Sequence, residues 1–303
     1  MAGFKPQANL PFVTVYVAKE KGFFSDQNLD VEIRHASSGE HLKLLMAGDV
    51  DVTTAAAASV LKRRSDPKLP IVAFALLGQR SQQAFMALKD SGIETPKDWE
   101  GRTFGYKISQ PPEYLALLKA NGIDRSKITE VSVGFDPRIL TERKVDILAV
   151  FNSNEPDTVR NLGFEVNVWT PADYGVAGMG LTFITTQELS EEDPDMIERF
   201  LKATLKAFQY IIDNREEALD IVMKFAPDQK REHQSFMLET ELADSVDTLT
   251  VERGLGWMTD VQWKALYDQL LEFEALPQPF DYSTAYTDRF LNAVYDGNKL
   301  HWP

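Results

Sequence analysis

The sequence predicts an α/β protein with two lobes and a cleft between them. Segments typical of strands and of helices alternate with short connections. The same rhythm restarts after residues 95–102, TPKDWEGR, and from about residue 191 onward the patterns are helical. With 303 residues, the chain is long enough for two units that each bury a core. We therefore expect two α/β units followed by a helical tail.

The first unit begins with a helix, a turn and a strand. Helical spacing joins four residues of a segment that ends near Gly22, a common C-terminal cap: Phe12, Val15, Tyr16 and Lys19. Residues 25–28, SDQN, predict a turn. Residues 29–35, LDVEIRH, alternate apolar and charged side chains, which is the period of a half-buried strand.

A second helix and two further strands complete that unit. Ser37 and Glu40 fit a capping box at the start of a helix that ends at Gly48, and residues 50–55, VDVTTA, are again strand-like. Residues 69–78, LPIVAFALLG, form a continuous apolar run, as expected for a strand covered on both faces of a parallel sheet.

The second unit repeats strand and helix patterns. Its predicted strands are residues 103–108, 128–135, 145–151 and 164–169, and its predicted helices are residues 112–122, 136–143 and 155–163. One more strand is predicted at residues 180–186, GLTFITT, just before the helical tail. These segments place several loop residues at the ends of strands, where ligands of open α/β sheets bind.

Composition excludes several function classes. A net charge of −14 and a pI near 4.8 argue against nucleic acid and against anionic membrane surfaces, because such partners are held by Lys and Arg. The chain has no cysteine, which excludes disulfides, a thiolate nucleophile, iron–sulfur ligation and cysteine-based zinc sites. No apolar run approaches the roughly 20 residues that span a bilayer.

No metal or cofactor site is expected from the motifs. His35 and His41 are six residues apart with a turn between them, so they are not a helical metal pair. The sequence contains no calcium-loop spacing, no Gly-x-Ser-x-Gly elbow and no Walker-type loop. Hydrolase and nucleotidase functions therefore lack support.

Several segments together resemble a known family. YVAKEKGFFSDQNLDVEI and LLMAGDVDV in the first unit, and KDWEGRTFGYK, VDILAVFNSNEP and DYGV further along, are similar to the substrate-binding proteins of ABC importers. The similarity is to the thiamin-pyrimidine-synthase-like (NMT1/THI5-like) family, in order and spacing over nearly the whole chain. It implies a periplasmic-binding-protein fold of type II topology, with two lobes, two crossover strands and a central cleft.

The resemblance also implies how the chain is divided and where it works. Residues 1–104 and 181–303 would form lobe one with its helical tail, and residues 105–180 lobe two, with hinges near 105–107 and 180–183. A small solute would be handed to an ABC permease by a monomer that is periplasmic or lipid-anchored at the outer face of the membrane. The start, MAGFKPQANL, lacks the pattern of a secretory signal. From the residues alone, both a cytoplasmic protein and a mature fragment without its leader stay open.

Members of this branch carry aromatic heterocycles, in particular riboflavin and thiamin-precursor pyrimidines. Pyrimidine binders open with a Trp-x-Pro-Asn signature and a nearby His, whereas this chain has FKPQANLPF, with Phe4 and Gln7 at the Trp and Asn positions. Riboflavin is therefore the expected ligand, and a formyl-aminopyrimidine type of precursor is the alternative. Glu40 in a first helical turn argues against an anion there, so the neutral vitamin is preferred to its phosphate, although Arg80 keeps the phosphate open.

An enzyme of this fold is the rival interpretation. The yeast-type synthase that the chain resembles needs an active-site His and a cysteine-rich iron motif, and this sequence has no cysteine. We therefore expect a protein that is not an enzyme. A sensory binding module without a permease is a further alternative.

A planar heterocycle is best held by aromatic faces, while amides, hydroxyls and a carboxylate read its edge. The candidate ligand-binding residues are those that suit this chemistry in the predicted cleft loops: Asn9, Phe12, Ser37, Ser38, Thr53, Thr54, Gln79, Tyr106, Gln110, Phe151, Asn152, Asn154, Glu155, Trp169 and Tyr174. For the aromatic residues, core packing is the alternative. For Ser37, Ser38 and Asn154, helix capping is the alternative.

Overall fold

The computed structural model describes residues 2–3, 5–36, 40–66 and 69–303. The candidates Ser37 and Ser38 lie outside the described residues. The strands in chain order are β1 Ala2–Gly3, β2 Arg34–His35, β3 Thr53–Ala56, β4 Ile71–Leu76, β5 Gln83–Leu88, β6 Thr103–Lys107, β7 Thr129–Val133, β8 Ile147–Phe151, β9 Val166–Trp169, β10 Leu181–Thr186, β11 Tyr295–Asp296 and β12 Lys299–Leu300.

Helices cover the sheets and form the C-terminal tail. In chain order they are α1 Leu10–Glu20, α2 Phe23–Asp26, α3 Glu40–Met46, α4 Ala57–Arg64, α5 Pro112–Ala120, α6 Arg138–Thr141, α7 Glu155–Asn161, α8 Gln187–Glu192, α9 Pro194–Asp213, α10 Arg215–Phe225, α11 Arg231–Ala243, α12 Thr248–Arg253, α13 Asp260–Glu272 and α14 Arg289–Val294. The long tail pattern predicted from residue 193 onward is confirmed as α9 and α10, which separate at Asn214. α9 packs against α1 and so ties the tail to the first lobe.

The first lobe is built on a sheet whose order is β3-β10-β4, with β1 and β2 paired in parallel beside β3. Every residue of β4 is buried, which confirms that the apolar run is covered on both faces. Its predicted parallel pairing is wrong, because β10 returns from the second lobe and pairs antiparallel with both β3 and β4.

The segment after α1 differs in part from its predicted structure. Gly22 adopts φ +79 just after α1, which confirms the predicted end of that helix. The predicted turn overlaps α2, and only Arg34–His35 of the predicted strand 29–35 pairs in a sheet. The apolar residues of that segment pack on the core without a ladder, so their alternation reflects burial and not strand pairing.

The second lobe is built on a five-stranded sheet with the order β7-β6-β8-β5-β9. β6, β7 and β8 run parallel, and β5, which arrives from the first lobe, pairs antiparallel with β8 and β9. Each of the two larger sheets thus contains one antiparallel strand that arrives from the other lobe. This arrangement matches the two crossover strands that the family resemblance implies.

Sheet membership bears on where the chain divides. The expected boundary between residues 104 and 105 falls inside β6 and would separate β5 from the sheet in which it pairs. β5 has no counterpart among the predicted strands. We therefore propose that the second lobe begins before Gln83 and ends after Trp169, so that it includes all five strands.

Side-chain alternation gives the second sheet two different faces. One face contributes Phe85, Phe104 and Ala149 to the main core under α5, together with Tyr114. The opposite face contributes Met86, Leu148 and Val150 to a separate small core beside α6 and α7. Residues of even number in β6 and odd number in β8 therefore share the face covered by α5.

Candidate functional site

Two short links join the lobes and run side by side. One link connects β4 to β5, and the other leads into β10. They are joined by two backbone hydrogen bonds of 2.8 Å, from Gly180 N to Gly78 O and from Leu77 N to Leu181 O. A Cβ atom on Gly180 would lie 2.6 Å from the carbonyl oxygen of Arg80, so the two backbones touch only because this residue is glycine. The links meet at the base of a cleft between the two sheets. Residues 105–107, which were expected to form a hinge, belong to strand β6 and do not link the lobes. Within β6, Gly105 packs on Val145 and Leu148.

The carboxyl ends of β6, β7 and β8 meet at one edge of the second sheet. Residues that follow β6 and β8 at this edge contact the first lobe and the tail, through Lys62 with Gln110 and Glu241 with Ser153. Three partly exposed aromatic residues lie there, which we call the aromatic edge: Tyr106, Phe135 and Phe151. Tyr106 stacks on Phe104 with ring centroids 6.3 Å apart. By strand alternation, Tyr106 and Phe151 lie on the same face of neighbouring strands. The structure therefore brings together two of the predicted stacking residues.

Backbone strain marks the same edge. Ile108 follows β6 with φ +56, a conformation that is an outlier for a β-branched residue. The amide of Ser109 donates to the carbonyl of Lys107 at 2.5 Å, which closes a tight three-residue turn around Ile108. The Ile108 side chain is 59 % exposed. Such strain is concentrated at ligand-binding and switch regions of proteins.

A buried ion pair supports the aromatic edge from the opposite face of the sheet. Lys107 Nζ pairs with Glu155 Oε1, and both side chains are largely buried. The second oxygen of Glu155 accepts the Phe151 amide at 2.8 Å, and the Lys107 ammonium lies 5.7 Å from the centroid of the Phe135 ring. Glu155, a predicted ligand contact, therefore holds the end of β8 in place, and its carboxylate is already occupied.

The polar candidates of the first lobe are also occupied by protein groups. Asn9 receives a hydrogen bond from Gln7 and donates one to Glu241. Gln79 donates to the Trp257 carbonyl at 2.8 Å and accepts from Gln262 at 2.9 Å. Their predicted role in reading a ligand edge is therefore less favoured than a structural role.

Two threonine candidates lie within a strand. Thr53 and Thr54 are both buried in β3, where they pair with Ile184 and Phe183 of β10. Both residues lie inside the predicted strand at residues 50–55 as well as inside β3, whose pairing with β10 extends to Ala56. Their backbone is thus committed to the sheet.

Two aromatic candidates lie in the cores. Phe12 is buried on α1 with its edge towards His35. Trp169 is buried in the second lobe, where its indole nitrogen donates to the Glu94 carbonyl at 3.1 Å and its ring packs on Trp99. For both residues, burial favours the core-packing alternative.

Three further candidates lie at the margin of the cleft or on its second-lobe side. The side-chain amide nitrogen of Gln110 donates to Glu130 at 2.9 Å. The backbone carbonyl of Gln110 accepts from Lys62 of α4 at 3.3 Å, which is a contact between the lobes. The half-buried Tyr174 packs against the core, and its carbonyl accepts from Asn121. The backbone amide of Asn152, next to Phe151, donates to the Gln82 carbonyl at 2.8 Å.

Asn154 does not cap α7 with its side chain. Its amide oxygen lies 3.0 Å from His233 Nε2, and the other ring nitrogen of His233 lies 2.6 Å from Asp157. His233 belongs to α11 of the tail, whereas Asn154 and Asp157 belong to the second lobe. The capping alternative is therefore wrong for this residue.

No sequence pattern predicts a functional role for α11, yet this helix lies at the boundary between the lobes. Its residue Glu241 is 4 % exposed and accepts hydrogen bonds from Leu10 N at 2.5 Å and from Ser153 Oγ at 3.0 Å. Burial raises the pKa of Glu241 to about 7. A signal was present, because Gln234 and Glu241 are polar residues two turns apart on the face that buries Met237 and Leu238.

Within the described ranges, no group of three or more His, Cys, Asp or Glu side chains is placed to hold a metal ion. Over the same part of the chain, no helix combines the length and the apolar character needed to cross a membrane.

Comparison with known proteins places this architecture in a family. The NMT1/THI5-like family matches residues 9–218, which is more than half of the chain. The chain belongs to the NMT1/THI5-like family. Among solved structures, the Candida albicans CA3427 gene product, described as having the generic periplasmic binding protein fold, aligns with a TM-score of 0.66 at 13 % identity, over 100 % of this chain and 97 % of that one. The predicted family resemblance and fold class are thereby confirmed.

Three characterised relatives are similar over most of their length. The riboflavin-binding protein RibY of Chloroflexus aurantiacus is 26 % identical over 93 % of this chain and 83 % of the relative. The formylaminopyrimidine-binding protein of Halalkalibacterium halodurans is 24 % identical over 88 % and 82 %. The 4-amino-5-hydroxymethyl-2-methylpyrimidine phosphate synthase of Legionella pneumophila is 24 % identical over 91 % and 87 %. The chain is thus similar both to binding proteins and to one synthase.

Proposed function

We propose that this protein is an extracytoplasmic solute-binding protein of an ABC importer, which captures riboflavin between its lobes and delivers it to a membrane permease as a monomer. The observation that carries this proposal is the aromatic edge, where Tyr106 and Phe151 share one face of the second sheet and remain partly exposed. A fused aromatic ring system offers a large flat surface to such side chains. The similarity to RibY over nearly the whole chain supports the same ligand.

In this proposal the two lobes have different roles. Tyr106 and Phe151 stack on the ring system, and Asn152, directly after Phe151, hydrogen-bonds to its polar edge. Asn9, Gln79 and the Lys107–Glu155 pair hold the cleft walls in shape, because their polar groups are bonded within the protein. A ligand held on the second lobe would favour the closed arrangement by also burying surface against the first lobe.

A thiamin-precursor pyrimidine is the second candidate ligand. The similarity to the formylaminopyrimidine-binding protein favours it, at an identity close to that with RibY. A single ring would contact fewer aromatic faces than a fused ring system does. Catalysis is not part of the proposal, because the sequence has no cysteine for the iron motif of the synthases it resembles.

The test is a titration of the purified full chain with riboflavin, flavin mononucleotide and a formylaminopyrimidine, followed by flavin fluorescence and by thermal shift. We expect tight riboflavin binding with quenching of its emission. Binding of the pyrimidine alone would replace the proposed ligand by the second candidate. Chemical conversion of any of the three compounds by the protein would overturn the binding-protein proposal.

The site is tested by Phe151→Ala, which should weaken riboflavin binding by about 1–3 kcal/mol if the ring stacks on the flavin. Phe164→Ala is the matched control. Phe164 is 39 % exposed and precedes β9, at the opposite edge of the same sheet. Equal affinity of the two variants would remove Phe151 from the site.

A further inference from the structure

Helix α11 connects the two lobes through two side chains on one stretch of helix. Glu241 accepts from Ser153 in the second lobe, and His233 contacts Asn154 and Asp157 of the same lobe. The two residues are eight positions apart, which corresponds to about 12 Å along a helix. The contact is therefore broad enough to fix the orientation of the second lobe relative to α11.

Glu241 also bonds to the wall of the first lobe. Its carboxylate accepts the Asn9 side-chain amide and the Leu10 backbone amide, which is the first helical N–H of α1. A carboxylate at this position is stabilised by the positive end of the helix dipole. The buried Glu241 side chain thus joins the start of α1 to Ser153, which lies two positions before α7.

We propose that Glu241 is a positioning residue that sets the closed arrangement of the lobes, and that closure takes up a proton at this carboxyl group. The inference rests on the proposed binding function, because ligand affinity is the property that closure controls. The Ser153 hydroxyl can donate to the carboxylate and can accept from the protonated acid, so the bond between the lobes persists in both forms.

The surroundings of Glu241 determine the direction of the pH dependence. α1 presents only uncharged groups to it, and the loop before α7 presents the Ser153 hydroxyl. Asp244, one turn further along the chain, raises the pKa of Glu241 in addition to burial, and Arg80 of the link between the lobes lies 3.7 Å from Asp244. His233, on the same helix, is engaged by Asp157.

The proposal takes the arrangement in which Ser153 donates to Glu241 as the closed one, and there burial raises the pKa of Glu241 to about 7. When the lobes separate, water reaches the carboxyl group and its pKa falls towards the usual value of about 4.3, because burial is the largest cause of the raised pKa and outweighs the lost Ser153 hydrogen bond, which lowers it. A pKa that is higher in the closed state stabilises closure at low pH, and this contribution is lost as the pH rises through 7. Ligand affinity should therefore fall by about tenfold between pH 6 and pH 8.

The experiment measures riboflavin affinity of the full chain from pH 5.5 to 8.5 for four proteins. The unmodified protein should show the decline, and Glu241→Gln should show a flat profile because its amide does not titrate. Ser153→Ala removes the Ser153 hydrogen bond to Glu241 and should weaken affinity about fivefold. Ser190→Ala is the control, since this buried hydroxyl bonds to Gln187 within the first lobe.

A second readout does not need the ligand. Because the chain has no native cysteine, Lys144→Cys with Glu192→Cys places spectroscopic labels on exposed positions of the two lobes. The distance between labels should lengthen as the pH rises from 6 to 8, and Glu241→Gln should abolish the change. If riboflavin does not bind but the distance changes in this way, the proposed ligand fails and the inference stands. A flat affinity profile and a constant distance in the unmodified protein would overturn the inference, as would an unchanged slope in Glu241→Gln.

Discussion

The two walls of the cleft use their side chains differently. On the first-lobe side, Asn9 and Gln79 are buried and their amides are bonded to other protein groups. On the second-lobe side, Tyr106 and Phe151 keep part of their rings exposed at the carboxyl edge of a sheet. A buried amide with satisfied hydrogen bonds contributes shape, whereas an exposed aromatic face can still bury area against a ligand. Under the proposed function, affinity would come mainly from the second lobe and geometry from the first.

The largest expected effect tests whether the second-lobe edge is a rigid platform. Lys107→Met leaves Glu155 buried without its cation and should lower the free energy of unfolding by about 3 kcal/mol in urea titrations. The double variant with Glu155→Gln should recover part of this loss. Lys144→Met is the control, because its pair with Glu142 is exposed and should contribute less than about 1 kcal/mol. Equal losses in both lysine variants would show that the buried pair does not support the edge.

The next effect tests the base of the cleft, which both walls share. Gly180→Ala forces a Cβ atom against the backbone of Arg80 and Gly78, and should cost about 1–3 kcal/mol of stability. Gly134→Ala, where no atom lies within 4 Å of the added carbon, should be nearly neutral. Thermal unfolding of both variants measures the difference. A Gly180 variant as stable as the control would mean that the links between the lobes separate freely.

A smaller effect separates the two walls directly. Gln79→Leu removes the bonds to Trp257 and Gln262 and should reduce stability by about 1–2 kcal/mol. Riboflavin affinity, measured well below the unfolding temperature, should stay the same. A drop in affinity without a loss of stability would move Gln79 from the structural group to the ligand contacts.

The smallest expected effect is a pH dependence at the border between the walls. Glu113, at the start of α5, is buried, and desolvation raises its pKa above the usual carboxyl value. A raised pKa means that this residue stabilises the fold at low pH and that the contribution is lost as the pH rises through the raised value. Glu113→Gln should therefore gain stability relative to the unmodified protein between pH 5 and pH 8, as measured by urea unfolding. A constant difference across that range would indicate that Glu113 is hydrated.

Local sequence patterns predicted those strands and helices in which the spacing of apolar side chains matches the face that becomes buried. The strands at residues 103–107, 129–133, 147–151 and 166–169 all lie within their predicted segments. Strand β5 has no predicted counterpart, because QAFMAL follows a polar link and its apolar and small side chains do not alternate with polar ones. The aromatic candidates differ in burial: Tyr106 and Phe151 are partly exposed at the carboxyl edge of the second sheet, whereas Phe12 and Trp169 are buried in the cores.

By itself, the sequence determined the α/β class, the order of most elements, the family resemblance and the absence of cysteine chemistry, because these follow from residue types and short-range periodicity. Only the tertiary structure decided that β5 and β10 exchange between the sheets, and that α11 brings Glu241 against Asn9, Leu10 and Ser153. These partners are separated by 88 to 232 positions along the chain. Their contact arises from the packing of the tail on both lobes, which no local pattern encodes.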